Sequence, residues 1–120
     1  MKGLRTLIYK VKDLQAAKDW YTKVLGVGPY FDEPFYVGFN VGGFELGLDP
    51  DLKNVDFGNN QVGYWGVDDI AKVFEKVKET GALIAGEITE VGEGIKVAEL
   101  VDPSGNRFGI IENPHFKIAG

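Results

Sequence analysis

The feature that most constrains this chain is an internal repeat. Residues 11–14 (VKDL) resemble residues 67–70 (VDDI), and residues 42–46 (GGFEL) resemble residues 106–110 (NRFGI). The two pairs occur in the same order, and each half has the pattern of one strand, one helix and three further strands. Neither half is large enough to bury a sheet alone, so the two halves are expected to share a core.

The repeat predicts an α+β fold built from tandem βαβββ modules. A length of 120 residues fits one domain and leaves no room for two ordinary ones. We therefore expect a single domain over residues 1–120, with a first module at about 1–55 and a second at about 60–120.

Local patterns set the expected elements of the first module. Residues 4–11 have the β-branched and aromatic composition of a strand, and Asp13 is the expected N-cap of a helix that ends at Gly26. A loop is expected over residues 28–34. The pair Gly42–Gly43 predicts a two-residue hairpin turn between the next two strands, of which the first begins with the residue after that loop.

The second module repeats this order after a polar linker, which is expected over residues 50–60. Either Asp68 or Asp69 is expected to cap its helix, which ends at Gly81. A turn is expected over residues 102–106, where Pro, Ser, Gly and Asn cluster. The predicted strands of this module cover residues 62–67, 83–88, 95–101 and 108–112.

Composition excludes several classes of site and partner. The chain has no cysteine, which rules out disulfides, thiolate metal sites and cysteine nucleophiles. Its one histidine, His115, is expected in a solvated tail, so one chain cannot build a two-histidine site. A net charge of −5 argues against a nucleic-acid partner. We expect no membrane association and a cytoplasmic location, because no long apolar run and no signal peptide are present.

Three segments in order resemble one protein family. Residues 11–26, 64–70 and 102–112 are similar to the first strand-to-helix segment, the second such segment and the last turn and strand of the vicinal oxygen chelate superfamily. This is the superfamily of glyoxalase and bleomycin-resistance proteins. The resemblance implies the glyoxalase/bleomycin resistance/dihydroxybiphenyl dioxygenase fold, in which curled mixed sheets form a cup that a homodimer usually completes.

The resemblance also locates the positions where metal-using members of the family carry their ligands. These positions fall on Thr6, Glu45, Val62 and Gly109. Only Glu45 has a competent donor, because Val62 and Gly109 have no donor side chain and a hydroxyl is a poor ligand. We therefore expect no metal and no cofactor.

The same positions predict a ligand site in the cup. Strand alternation adds Ile8, Tyr36, Tyr64 and Ile111 to the four family positions as ligand-binding residues. The floor of the cup is expected to consist of small residues, namely Gly38, Gly47, Gly66, Gly109 and Ala98. Such glycines mark either close approach by a ligand or bulges where the sheet curls. Glu99, with the opposite parity to Ala98, is expected at an edge or an interface.

Three interpretations of Glu45 remain open. Its carboxylate forms a structural salt bridge, contacts a donor or cation of a ligand, or acts as a catalytic base with a shifted pKa. The nearby loop 30–36 combines aromatic and acidic residues, which suits an aromatic or cationic ligand unless the loop plugs the cup.

Loss of three of the four ligand positions favours a metal-free binding protein for sequestration or sensing over an enzyme. The alternatives are a glyoxalase-like lyase or isomerase, or a dioxygenase-type enzyme, with an unusual carboxylate site around Glu45, and an interaction module with a collapsed cup. The expected partners are a small-molecule ligand and a second copy of the chain.

Overall fold

The computed structural model describes residues 1–57 and 61–117, so the end of the predicted linker and the last three residues lie outside the described chain. Ten elements follow one another in two βαβββ modules, which confirms the predicted α+β class and element order. The first module contains β1 (Thr6–Lys10), α1 (Leu14–Leu25), β2 (Phe31–Glu33), β3 (Tyr36–Val41) and β4 (Phe44–Asp49). The second contains β5 (Tyr64–Gly66), α2 (Ile70–Lys78), β6 (Leu83–Gly92), β7 (Ile95–Val101) and β8 (Arg107–Glu112).

The first module forms a four-stranded mixed sheet in the order β1-β4-β3-β2. β1 runs parallel to β4, and the other pairs are antiparallel. α1 packs on β3 and β4. Alternate residues of these two strands are fully buried on the helix side, and they are Val37, Phe39, Leu46 and Leu48.

Local signals in the first module act as the sequence predicts. The Asp13 side chain accepts a hydrogen bond from the Ala16 amide at the start of α1, and Gly26 ends the helix with a left-handed φ of 74°. The hairpin turn Gly42–Gly43 has positive φ at both positions, as a type I′ turn requires. The predicted loop over 28–34 is wrong in part, because β2 pairs with β3 there as a short edge strand.

The second module forms a sheet in the order β5-β8-β7-β6, again with one parallel pair, β5 with β8. Asp69, rather than Asp68, caps α2 by accepting from the Lys72 amide. The strand predicted over 62–67 is shorter, because β5 begins at Tyr64 and Val62 lies in the segment before it. β6 is longer than predicted, and register shifts interrupt its pairing with β7.

Contacts divide the described chain into two compact units that follow the modules, with one exception. The turn Asp102–Asn106, which links β7 to β8, belongs to the first unit. There the buried Asp102 accepts a hydrogen bond from the Tyr21 hydroxyl at 2.9 Å. The side-chain amide of Asn106 donates to the Lys10 carbonyl oxygen, and the Lys12 amide donates to the Ser104 hydroxyl. Among the described residues, no helix is long and apolar enough to cross a lipid bilayer.

Candidate functional site

The helix-free side of the first sheet carries the candidate site, and we call it the first open face. Because Leu46 and Leu48 point to α1, strand alternation places Glu45 and Gly47 on this opposite side. Glu45 lies opposite Thr6 on β1 and opposite Asn40 on β3. The first open face therefore collects the predicted site residues Thr6, Ile8, Tyr36 and Glu45.

Glu45 is the centre of a hydrogen-bond cluster on the first open face. Its Oε1 accepts from the Thr6 hydroxyl at 3.1 Å and from the Tyr36 hydroxyl at 3.0 Å. Its Oε2 accepts from the Tyr30 hydroxyl. Donation from Tyr30, supported by Tyr36 and Thr6, lowers the pKa of Glu45 below its usual value. Three hydroxyl donors thus hold an ionised carboxylate in place.

The pKa values of Tyr30 and Tyr36 shift in the opposite direction to that of Glu45. Burial, together with the hydrogen bond to Glu45, raises the pKa of Tyr36 to about 12. The bond to Glu45 also raises the pKa of Tyr30. Both phenols therefore stay protonated as donors to the carboxylate over the ordinary range of pH.

Glu45 has no cationic partner within the described chain. The ion pairs formed by residues 1–57 and 61–117 involve other carboxylates, and the one on this sheet's open side joins Lys10 to Asp49 at 2.8 Å. The structural salt bridge considered for Glu45 is therefore not formed by described residues of its own chain. Its negative charge is solvated by hydroxyls but not neutralised.

Tyrosine rings cover three of the strand glycines. A Cβ added to Gly38 would lie 3.0 Å from Glu45 Oε2 and 3.2 Å from the Tyr30 ring. At Gly47 the Tyr36 ring and hydroxyl occupy that space, and at Gly109 the Tyr64 ring does so. The expectation of an open floor is therefore wrong at these three glycines, since each makes room for a tyrosine side chain. At Gly66 nothing lies within 4 Å of an added Cβ.

The helix-free side of the second sheet, the second open face, carries a smaller polar group. The Tyr64 hydroxyl donates to Glu99 Oε2 at 2.9 Å, and Arg107 pairs with Glu99 Oε1 at 3.2 Å. The placement of Ala98 in the floor is wrong, because Ala98 is buried on the helix side. Glu99 takes that place, since it pairs directly with Gly109 and shares its face.

The predicted site residues fall into three groups. Thr6, Ile8, Tyr36 and Glu45 lie on the first open face, as described above. Tyr64, Gly109 and Ile111 lie on the second open face, where Tyr64 is the partner of Gly109. Val62 is on neither strand ladder. In the first sheet, the family position Glu45 pairs with the family position Thr6. In the second sheet, the family position Gly109 pairs with Tyr64 and not with Val62.

Sequence reasoning missed two polar contributors. Tyr30 was assigned only to an aromatic loop, although its hydroxyl is a donor to Glu45. Glu99 was assigned to an edge or interface. Counting the antiparallel register outward from the turn 102–106 pairs Val101 with Arg107 and then Glu99 with Gly109, and this signal would have found it.

The residues at the family's metal positions do not fit a metal centre. Glu45 is the one carboxylate among them, and its oxygens already accept three hydroxyl hydrogen bonds. At Gly109 the Tyr64 ring fills the space that a ligating side chain would need. Within residues 1–57 and 61–117, no group of three or more Asp, Glu or His side chains is placed to share an ion.

The pKa directions also bear on the catalytic alternative. A general base works best with a pKa near the working pH, but hydroxyl donation moves the pKa of Glu45 downward. A general acid at Tyr36 would need a lowered pKa, and its pKa is raised. Both directions favour a fixed negative charge on the Glu45 cluster.

A cleft of about 450 Å³ lies away from this cluster, between α1 and β2. It is lined by Leu14, Gln15, Lys18, Asp32, Glu33, Pro34 and Val37. Lys18 and Asp32 form an ion pair within it at 3.0 Å. This ion pair neutralises the Asp32 carboxylate that lines the cleft.

The lowered pKa of Glu45 gives a testable pH dependence. An ionised group with a depressed folded-state pKa stabilises the fold above its usual pKa, and this contribution is lost as the pH falls through the lowered pKa. We expect the difference in free energy of unfolding between the wild type and Glu45→Gln to shrink from about pH 6 to about pH 3. Urea unfolding at each pH measures it. A difference that is constant with pH would contradict the assignment.

Comparison with known proteins agrees with this arrangement of elements. A family model described as the Glyoxalase/Bleomycin resistance protein/Dioxygenase superfamily matches residues 3–110. No curated protein is significantly similar to the chain in sequence.

Several solved structures share the fold. A glyoxalase-related enzyme from Fulvimarina pelagi has a TM-score of 0.80 at 18% identity, with 100% of this chain and 94% of that chain covered. A lactoylglutathione lyase from Agrobacterium tumefaciens has a TM-score of 0.77 at 20% identity, with 97% and 98% covered. A glyoxalase/bleomycin resistance protein from Catenulispora acidiphila has a TM-score of 0.71 at 22% identity, with 93% and 100% covered.

Sequence identities this low show that these proteins share a fold with this chain. They do not show that this chain shares the activity of any of them. The family model, in contrast, covers most of the sequence and includes both modules. The chain therefore belongs to the Glyoxalase/Bleomycin resistance protein/Dioxygenase superfamily.

Proposed function

We propose that this chain is a metal-independent binding protein that holds a small cationic, partly aromatic molecule on the first open face. Its role would be sequestration or sensing. The observation that carries the proposal is the Glu45 carboxylate, which is held by three hydroxyls and has no cationic partner among the described residues. A cationic ligand supplies the missing counter-charge.

The electrostatic argument is one of incomplete compensation. A carboxylate that is partly removed from water loses hydration, and hydrogen bonds from neutral hydroxyls offset only part of that loss. Glu45 is half-buried, and Lys10, the cation on the same side of the sheet, is already paired with Asp49. A ligand cation therefore gains an attraction that no described side chain competes for.

Preorganisation supports binding over catalysis. The three hydroxyl donors fix the carboxylate before any ligand arrives, which reduces the entropy lost on binding. The same bonds keep the carboxylate ionised and the phenols neutral, so the charge of the site does not change near neutral pH. The homodimer and the completed cup that the family resemblance implies belong to this proposal as its expected assembly.

Fluorescence titration tests the proposal with two matched probes. The first, 10-methylacridinium, carries a fixed positive charge, whereas acridine of nearly the same shape is neutral at pH 7.5. We expect 10-methylacridinium to bind the wild type, and Glu45→Gln to weaken that binding by about tenfold, since one charge interaction is lost. Acridine should bind weakly to both proteins.

A control separates local charge from net charge. Glu75→Gln removes the same charge from α2, where Glu75 pairs with Lys78 at the surface, and it should leave the affinity for 10-methylacridinium unchanged. Equal affinities in the wild type and Glu45→Gln would refute the proposal. So would about one equivalent of a transition metal per chain in protein purified without chelator, because the binding role is proposed to be metal-independent.

A further inference from the structure

Four aromatic side chains lie in or beside the Glu45 cluster, and we call them the aromatic cluster: Tyr30, Phe31, Phe35 and Tyr36. The ring centroids of Phe31 and Phe35 are 6.0 Å apart, and those of Phe31 and Tyr36 are 6.2 Å apart. Tyr30 and Phe35 remain 64% and 66% exposed, and Phe31 is 38% exposed. Aromatic faces thus reach solvent beside an unneutralised carboxylate.

The carboxylate has little capacity left to accept hydrogen bonds. An ionised carboxyl group has about four lone-pair sites, and Tyr30, Tyr36 and Thr6 occupy three of those on Glu45. A primary ammonium has three N–H donors that must exchange water for protein acceptors when it binds. On this face such an ion meets the full charge of Glu45 but few free acceptors.

A quaternary ammonium avoids this difficulty. It has no N–H donor to satisfy, it is weakly hydrated, and its alkyl groups pack well on aromatic faces. Donation of the Tyr30 and Tyr36 hydroxyls to a carboxylate also polarises the two phenol rings and makes their faces more negative. The rings and the charge therefore act together on a cation that lacks N–H groups.

From this combination we infer that the first open face recognises a quaternary, fully alkylated ammonium group in preference to a primary ammonium of equal charge. The inference rests on the proposed function and names the chemical class of its ligand. Glu45 acts at a distance as the counter-charge, and the aromatic cluster provides the contact surface.

Isothermal titration calorimetry with two probes tests the preference. Benzyltrimethylammonium and benzylammonium share one ring and one positive charge at pH 7.5, and they differ in methylation. We expect benzyltrimethylammonium to bind the wild type about tenfold more tightly. Equal affinities, or tighter binding of benzylammonium, would overturn the inference.

Two ring variants show whether the aromatic cluster is responsible. Phe31→Leu should weaken benzyltrimethylammonium by about fivefold, because one aromatic face is replaced by an alkyl group. Phe44→Leu is its matched control, since Phe44 is similarly exposed at 41% but precedes Glu45 on β4 and so lies on the other side of the sheet. Equal losses in both variants would contradict a role for the cluster.

Tyr30→Phe tests the argument about acceptors. This variant keeps the ring and frees one lone pair of Glu45, so benzylammonium should bind more tightly than to the wild type and the preference should narrow. If the ratio of the affinities for benzyltrimethylammonium and benzylammonium is the same in Tyr30→Phe as in the wild type, the argument about free acceptors is wrong. Thermal unfolding of each variant, compared with the wild type, verifies that the fold is retained.

The outcomes distinguish this inference from the proposed function. If 10-methylacridinium binds in a Glu45-dependent way but the two benzyl probes bind equally, only the quaternary preference is overturned. If benzyltrimethylammonium binds Glu45→Gln as tightly as the wild type, both are overturned. If its affinity falls in Glu45→Gln and exceeds that of benzylammonium in the wild type, both are supported.

Discussion

Asp102→Ala is expected to lower the free energy of unfolding by about 4 kcal/mol, because it removes the acceptor of four buried or half-buried hydrogen bonds. Oδ1 accepts from the amides of Ser104 and Asn106 at 2.9 and 2.8 Å. Oδ2 accepts from the Tyr21 hydroxyl at 2.9 Å and from the Asn106 side-chain amide at 3.0 Å. All of its acceptor positions are filled, and alanine would remove the acceptor from each of these four bonds.

Urea unfolding measures the effect, and Tyr21→Phe provides a graded control. That variant removes one donor and leaves the carboxylate with its three N–H partners, so the expected loss is about 1–2 kcal/mol. Tyr21 is itself fully buried, and its ring keeps its packing against Tyr9 and Trp20 in the variant. Equal losses for Asp102→Ala and Tyr21→Phe would show that the amide donors find other acceptors, which contradicts the expectation.

The fold was largely predictable from sequence because its determinants are local. Asp13 caps α1 through its own side chain, and the pair Gly42–Gly43 sets the hairpin through positive φ values. β2 was not predicted, because its determinants are not local. Its three residues form a strand because β3 supplies the pairing, and nothing in the isolated segment 31–33 requires an extended edge strand.

The candidate site was only partly predictable, because its contacts join residues that are distant in sequence. Glu45 and Tyr36 follow from strand alternation once one of them is placed on a face. Tyr30 lies outside the strands, and no periodic pattern assigns a loop residue to either side of a sheet. The sequence places Ala98 and Glu99 on the wrong sides of the sheet. Which side each β7 residue faces depends on the register of β7 against β8, not on the composition of β7 itself.

Three of the strand glycines pack against tyrosine rings from neighbouring positions. From sequence, strand glycines predict either room for a ligand or bulges, but Gly38 and Gly47 instead make room for the rings of Tyr30 and Tyr36. Each glycine therefore provides the space that its tyrosine occupies, and the role of either residue depends on the other. Exposed tyrosines near strand glycines are consequently a signal for a filled face.

Gly109 offers the sharpest test of this coupling, and we expect Gly109→Ala to lower the free energy of unfolding by about 3 kcal/mol. An added Cβ would lie 2.6 Å from Tyr64 Cδ1 and 2.7 Å from the Gly63 carbonyl oxygen. The ring can move, but the carbonyl oxygen cannot move without weakening the bond that it accepts from the Gly109 amide at 3.0 Å. That bond continues the parallel pairing of β5 with β8, so the strain falls on the sheet itself.

Gly66→Ala is the matched control, because Gly66 lies two residues from Tyr64 on β5 with nothing within 4 Å of the added Cβ. Alanine there should be neutral or stabilise by up to about 0.5 kcal/mol, since glycine is unfavourable in a strand. Urea unfolding of both variants decides the matter. Similar free energies for Gly109→Ala and the wild type would mean that Tyr64 and β5 yield easily. Position 109 could then accommodate a ligating side chain. A large loss in free energy of unfolding would instead mean that Tyr64 and the β5 backbone leave no space for one.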